Sequence, residues 1–293
     1  MITHDFGMDT ASLAGSLEGK LAAIRGAGFT HVMISAADVV SHPGGTADGV
    51  RAVVASGLDV TGLEALRDFE GLDGQLHAYK VDVAKSMLEL CARLGGRLLV
   101  VEASTSQHVR DDEQAVAADL AKLATMAIPF GIRIAYKGMP WSRTARDFRE
   151  ATDHVLRANC PNLGVAVDAL DVIVSGVPFE DLDLLDAEQT FLVQIADYTS
   201  LHSHGVAPVD PRLFRVFPGE GAHSDELEAF VARLAGIGYE GQYRFDVYND
   251  DYLQMPPEAV CGRARRSAVW LAETVLRRTL PVPDMARLNA TRS

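Results

Sequence analysis

Short β-rich runs alternate with longer amphipathic stretches about eight times along the 293-residue chain, a rhythm that parallel strands joined by crossover helices produce. Strand candidates fall at 2–6, 31–35, 58–63, 97–102, 132–137, 163–168, 190–196 and 241–247. Several are nearly continuous apolar runs, as strands covered on both faces should be. Helical patterns occupy 17–27, 47–56, 75–94, 113–127, 145–158, 225–237 and 257–278, and the connection after Asp168 is the shortest and least clearly helical. Gly28, Gly57, Gly95 and Gly238 each stand where a helix would end before the next strand begins. The pattern predicts an α/β fold, one (β/α)8 TIM barrel over 1–280 followed by a tail over 281–293. A doubly wound open sheet is the rival, but no GxGxxG turn follows an early strand to favour it.

Composition removes several function classes. The 27 Lys plus Arg face 40 Asp plus Glu, and a formal charge of -13 disfavours nucleic acid and other polyphosphate partners. Cys91, Cys160 and Cys261 are odd in number and widely spaced, which suits reduced structural thiols better than a disulfide framework or a zinc knuckle. The N-terminus has no basic segment followed by an apolar run, and no uninterrupted apolar stretch of about 18 residues occurs anywhere. The expectation is a cytoplasmic protein with no membrane partner, its oligomeric state left open between monomer and homo-oligomer.

Strand after strand finishes on a functional group: Glu102, Lys137, Asp168, Gln194 and Asp246. In a barrel these ends converge on one mouth. Any single Asp there could be capping the next helix, but five converging polar groups are harder to assign to capping. Asp168, Gln194 and Asp246 offer two carboxylates and an amide oxygen, donors of the kind that Mg2+ or Mn2+ prefers. Lys137 argues against an ion, because a protonated lysine has three donors and no acceptor.

The phrases RDFEG (67–71), IAYKGMPWSR (134–143), PNLGVAVDALD (161–171), FLVQIAD (191–197), FRVFPGEG (214–221) and FDVYNDDY (245–252) run in order along nearly the whole chain. Together they resemble the sugar phosphate isomerase/epimerase superfamily of xylose isomerase-like TIM barrels, and within it most closely the 3-dehydroshikimate dehydratases. The resemblance implies a divalent metal held by Glu at strand five, Asp at strand six, Gln or His at strand seven and Glu at strand eight. Carried over, three positions keep a ligand type as Asp168, Gln194 and Asp246, the last one methylene shorter than the usual Glu. The strand-five Glu is Lys137 here. A histidine common in the family is Asp171, so the family's own dehydration step is not carried over with it.

Lys137 cannot replace a carboxylate ligand, but its ammonium can replace the metal. It would be neutralised by Asp168 and Asp246, hydrogen-bonded by Gln194, and able to stabilise an enolate oxygen. A neutral Lys137 amine forming a Schiff base is the less favoured use, since nearby carboxylates raise a lysine pKa. Glu102 is expected to pair with Lys137, either as a general base or as a salt bridge; Asp171 and Asp246 are the other candidate acid/base groups. Arg67, Arg212 and Arg215 are candidate anion-binding residues on loops overlooking the mouth, and Trp141 could stack on a substrate ring. His202, His204 and His223 lack a diagnostic ligand spacing and read as a solvated loop. Glu220 reads as shaping its glycine-bounded turn, and Arg263 to Ala268 as a solvated or subunit-contact face.

Three functions follow. The first is an isomerase, epimerase or dehydratase-like lyase acting on a small polyhydroxylated carbonyl compound through an enolate or enediolate. It would need no cofactor, Lys137 standing in for the metal. The second is a metal-dependent 3-dehydroshikimate dehydratase-like lyase with a rearranged site holding one Mg or Mn. The third is a non-catalytic binding or partner subunit that kept the barrel.

Overall fold

A computed structural model of the chain describes residues 6–110, 112–199 and 214–276. The strands are β1 (Phe6–Asp9), β2 (His31–Ser35), β3 (Asp59–Arg67), β4 (Leu98–Glu102), β5 (Arg133–Lys137), β6 (Leu163–Asp168), β7 (Thr190–Ile195) and β10 (Tyr243–Phe245), with the short strands β8 (Asp197–Tyr198) and β9 (Arg215–Val216) between the last two. Eight of them close into a parallel barrel in the order β1-β10-β7-β6-β5-β4-β3-β2, while β8 and β9 form a separate antiparallel pair. Helices α1 (Leu17–Gly26), α2 (Ala36–Val40), α3 (Thr46–Ala55), α4 (Gly74–Arg93), α5 (Glu113–Ala127), α6 (Phe148–Ala158), α7 (Ala169–Ser175), α8 (Ser224–Gly236) and α9 (Pro257–Trp270) supply the crossovers and outer ring. Among the described residues no helix is long and apolar enough to cross a membrane.

Alternation along each strand divides the side chains between two compartments. Inside the barrel Met33, Leu98, Val100, Ala135, Ala166 and Leu192 pack into one small cluster. Their outward neighbours Leu99, Val101, Ile134 and Tyr136 join the larger core beneath the helices. Two residues above Val100, Ala135, Ala166 and Leu192 on the same inward face stand Glu102, Lys137, Asp168 and Gln194. The interior is thus apolar below and polar at the C-terminal rim, because each inward series changes character at its last position.

Several boundaries differ from the sequence reading for local reasons. β1 runs from Phe6 to Asp9, later than the 2–6 expected, and residues 2–5 lie outside those described. β3 continues to Arg67, four residues past its apolar stretch. Helix α6 begins at Phe148 because the Asp147 carboxylate accepts hydrogen bonds from the Arg149 and Glu150 amides and caps it there. α9 ends at Trp270 and passes into a π-helical turn, Leu271–Val275. The tail beginning at Pro281 lies outside the described residues. The helix-ending glycines behave as expected: Gly28, Gly57, Gly95 and Gly238 hold φ of 90°, 71°, 80° and 87°.

Candidate active site at the barrel mouth

Strand register builds the site. Arg67 pairs with Glu102 and Glu102 with Lys137 across β3, β4 and β5, and Asp168 pairs with Gln194, which pairs in turn with Arg244, across β6, β7 and β10. The next residue after Lys137 must be small: a Cβ on Gly138 would lie 2.2 Å from the Asp147 carbonyl oxygen. A buried clamp steadies the rim nearby. Glu70 Oε1 accepts from the Ser104 amide at 2.6 Å, from the Thr144 hydroxyl at 2.7 Å and from the Tyr136 hydroxyl at 2.9 Å, tying together the segments that follow β3, β4 and β5.

Lys137 is only 3% exposed. Its Nζ donates to Asp168 Oδ2 at 2.7 Å and lies 3.6 Å from Asp171 Oδ2 and 3.7 Å from Asp246 Oδ2. Burial disfavours the ammonium, but the charges of Asp168, Asp171 and Asp246 outweigh it and raise the pKa above that of an ordinary lysine. Schiff-base chemistry by a neutral amine is correspondingly disfavoured. For Asp168, burial opposes ionisation, yet the Arg215 and Lys137 charges and their hydrogen bonds bring the carboxyl down to about 2. Its other oxygen accepts the Leu170 amide at 2.9 Å, so Asp168 caps α7 and holds two cations at once.

Three expected placements are corrected. Glu102 does not pair with Lys137: it takes Arg67, whose Nε lies 2.5 Å from Oε2, while the Lys137 side chain turns to Asp168. Burial pushes the Glu102 pKa up, but the Arg67 hydrogen bond and the Lys137, Arg67 and Arg215 charges hold it below its usual value, which weakens it as a base. Arg215 is not a loop residue free to meet an anion. It is 3% exposed, donating from Nη1 to Asp168 Oδ2 at 2.8 Å, to Asp246 Oδ2 at 3.1 Å and to the Asp246 carbonyl at 3.0 Å. Gln194 does not bond Lys137; its buried Oε1 has no hydrogen-bond partner.

A cavity of about 620 Å³ opens above these groups, with Glu64, Arg67, Glu102, Lys137, Trp141, Arg215 and Asp246 in its wall. Asp171 lies behind it, beside a separate cleft under α6 and α7. Burial and the neighbouring Asp168 charge push Asp171 up to about 7, and neither of its oxygens has a hydrogen-bond partner. Arg212, His202 and His204 lie outside the described residues. His223 is packed rather than solvated, stacking on Tyr198 with ring centroids 3.9 Å apart and reaching Asp197 at 3.2 Å. Glu220 pins its turn by accepting from the Tyr252 hydroxyl at 2.8 Å and Arg263 Nε at 3.0 Å.

The sequence reading passed over a second group. Asp9, Glu64 and Asp246 bring carboxylate oxygens within 4.8 Å of one another. Arg244, fully buried, donates to Asp9 Oδ1 at 2.8 Å, leaving Asp9 Oδ2 without a partner. Burial raises the Asp9 pKa to about 7 against the pull of Arg244, and burial with the Asp9 and Asp246 charges raises Glu64 well above the usual carboxyl range. Asp9 and Glu64 were missed because each lies beyond the strand end drawn from apolar residues.

The metal set implied by the resemblance does not fit these residues. A divalent ion shared by strands five to eight needs oxygen donors pointing at one place. Here Asp168 Oδ2 already accepts from Lys137 and Arg215, and Oδ1 from the Leu170 amide. Asp9, Glu64 and Asp246 are an oxygen-only group that could hold a hard cation at a different place, with Asp9 already committed to Arg244.

The parallel closed barrel with its polar rim finds its counterpart among known proteins, for the xylose isomerase-like TIM barrel profile matches residues 21–273. The chain belongs to that family. It is 32% identical over 265 residues to a 3-dehydroshikimate dehydratase of Pseudomonas aeruginosa, covering 90% of this chain and 41% of that protein. It is 28% identical over 212 residues to an inosose isomerase of Bacillus licheniformis, covering 71% of this chain and 74% of that one. The chain therefore spans less than half the length of the dehydratase. Among solved structures, a xylose isomerase-like TIM barrel/4-hydroxyphenylpyruvate dioxygenase fusion protein superposes with a TM-score of 0.85 at 26% identity, over 96% of this chain and 45% of that one. The IOLI protein with a binding zinc atom superposes with a TM-score of 0.79 at 21% identity, over 92% of this chain and 99% of that one, a likeness of fold.

Proposed function

We propose that this barrel is an isomerase/epimerase- or dehydratase-like enzyme acting on a small polyhydroxylated carbonyl compound through an enolate or enediolate. The observation that carries the reading is the Lys137 ammonium, fixed by Asp168 at 2.7 Å in the wall of the cavity where the family resemblance leads one to expect a metal ligand. A substrate carbonyl oxygen beside Nζ would gain stabilisation as it becomes an oxyanion, without reorganisation of the donor. The proton on the adjacent carbon would pass to a carboxylate in the same wall. Asp246 and Glu64 both line it, and the raised pKa of Glu64 makes it the group better suited to return a proton. Return of that proton to a neighbouring carbon gives isomerisation, and delivery of a different proton to the opposite face by a second acid gives epimerisation. Its delivery to a departing β-hydroxyl gives dehydration with loss of water. Arg67 and Trp141, at the outer wall, are the proposed substrate contacts.

A second reading, a metal-dependent lyase whose ion has moved, is favoured by one observation, the oxygen-only group Asp9, Glu64 and Asp246. One experiment separates the two. Cyclic and open-chain polyhydroxylated ketones are incubated with the protein in D2O and exchange of the proton next to the carbonyl is followed by NMR, with and without chelator. The proposed reading expects chelator-insensitive exchange that falls about 100-fold or more in Glu64→Gln. Exchange abolished by chelator and restored by Mn2+ would favour the moved ion, and no exchange with any of these compounds would count against both.

A further inference from the structure

Building on the reading of this mouth as the reactive site, we propose that Lys137 and Arg215 jointly fill the place of one divalent ion, so that neither substitution alone returns a metal site to the barrel. The two cations converge on one atom: Asp168 Oδ2 accepts from Lys137 Nζ at 2.7 Å and from Arg215 Nη1 at 2.8 Å. They also share the outer carboxylates. Asp246 Oδ2 stands 3.7 Å from Lys137 and 3.1 Å from Arg215, and each cation lies 3.6 Å from an Asp171 oxygen. Two unit charges held against three aspartates supply the charge of a divalent ion in the form of fixed donors, and both side chains are 3% exposed. Besides the two Asp171 oxygens, Gln194 Oε1 is buried without a hydrogen-bond partner at the adjacent strand end, an oxygen that an ion would bind and that neither cation reaches.

The pair comes from distant parts of the chain. Lys137 ends β5, whereas Arg215 lies on β9, which pairs with β8 just beyond the end of β7. Asn249 secures it there by donating to the Arg215 carbonyl at 2.9 Å. Arg215 thus has anchorage of its own, independent of Lys137. In Lys137→Glu the guanidinium remains beside Asp168 and gains a new carboxylate partner, and in Arg215→Met the ammonium remains. Only with both changed do Glu at 137, Asp168, Gln194 and Asp246 present four oxygen-donor side chains without a resident cation.

The test is a Mn2+ titration read by electron paramagnetic resonance of the free ion, with thermal melts in Mn2+ and in chelator. Wild type, Lys137→Glu, Arg215→Met and the double variant are compared. Wild type sets the baseline and shows any ion held by Asp9, Glu64 and Asp246; because Asp246 belongs to both groups, Glu64→Gln is introduced into all four proteins to remove that second place. The double variant is expected to gain about one equivalent and a Mn2+-dependent rise in melting temperature, while each single variant gains none. A Lys137→Glu protein that gains the equivalent by itself overturns the proposal, as does a folded double variant that gains nothing. If the double variant folds too poorly to titrate, Lys137→Glu decides: a melting temperature indifferent to Mn2+ upholds Arg215 as occupant, and one raised by Mn2+ refutes it. The count needs no turnover, so an empty substrate screen bears on the proposed function and leaves this result standing.

Discussion

On the β5–β6 side of the mouth Asp168 has two cations against one oxygen and is drawn down to about 2; on the β1–β3 side Asp9 has one guanidinium and two acids near it and is pushed up to about 7. Asp246 stands between them, within reach of Lys137 and Arg215 on one flank and grouped with Asp9 and Glu64 on the other. Both sides hold buried carboxyls in one barrel. The difference lies in the partners: Asp168 meets two fixed positive charges, whereas Asp9 and Glu64 hold their protons more tightly than ordinary carboxyls. A ligand spanning the cavity would meet an electrophile at one end and a proton-bearing carboxyl at the other, the division of labour that an enolate needs.

The largest stability effect expected is from Asp168→Ala, which leaves Lys137 and Arg215 sharing too few acceptors in a buried place and removes the α7 cap. A loss of about 3–5 kcal/mol in denaturant unfolding at neutral pH is predicted. A loss below about 1 kcal/mol would mean that the two sides do not differ as described.

Asp171→Asn should act in the opposite sense and depend on pH. The Asp171 carboxyl is raised from 3.8 to about 7 in the folded protein, so folding gains from its tight proton below pH 3.8 and loses that gain as pH rises through about 7. Wild type should therefore lose stability relative to Asp171→Asn between pH 4.5 and pH 8, by roughly 3 kcal/mol. Parallel pH profiles for the two proteins would show that Asp171 titrates as an ordinary carboxyl.

The smallest effect is expected at the outer wall. Arg67 is 69% exposed at its side chain and pairs with Glu102 in contact with solvent, so Arg67→Ala should change stability by less than about 1 kcal/mol. If Arg67 meets substrate, its loss should raise KM by more than it lowers kcat, which steady-state kinetics on any substrate found by NMR exchange would read.

The barrel was legible because its signal is repeated: strands 31–35 and 163–168 and the helix 113–127 fall where apolar periodicity puts them. The same signal hid part of the mouth. Inward-facing positions turn polar where a strand reaches the rim, so reading a strand by its apolar residues stops it early, as happened at Glu64. Lys137 and Asp168 are legible because each directly follows an apolar run, 134–136 and 163–167. Glu102 is legible on its strand but its partner is not, since register puts Arg67 and Lys137 on either side of it and only side-chain direction decides between them. Arg215 could not be placed from the sequence, because its position depends on how the segment after β7 returns, and a run of Pro, Gly and Arg carries no period. Arg244 lay inside a correctly located strand, but nothing in a strand pattern announces a buried guanidinium paired across the barrel closure to Asp9.

The proposed electrophile is the fixed charge of Lys137. The direct measurement is the rate of α-deuteration of a polyhydroxylated ketone substrate by chelator-treated wild type and by Lys137→Met, each checked for folding by circular dichroism. An unchanged rate is expected for wild type after chelation, and a fall of about 100-fold or more for Lys137→Met. A Lys137→Met protein that exchanges deuterium at the wild-type rate, or a wild type silenced by chelator, would contradict it.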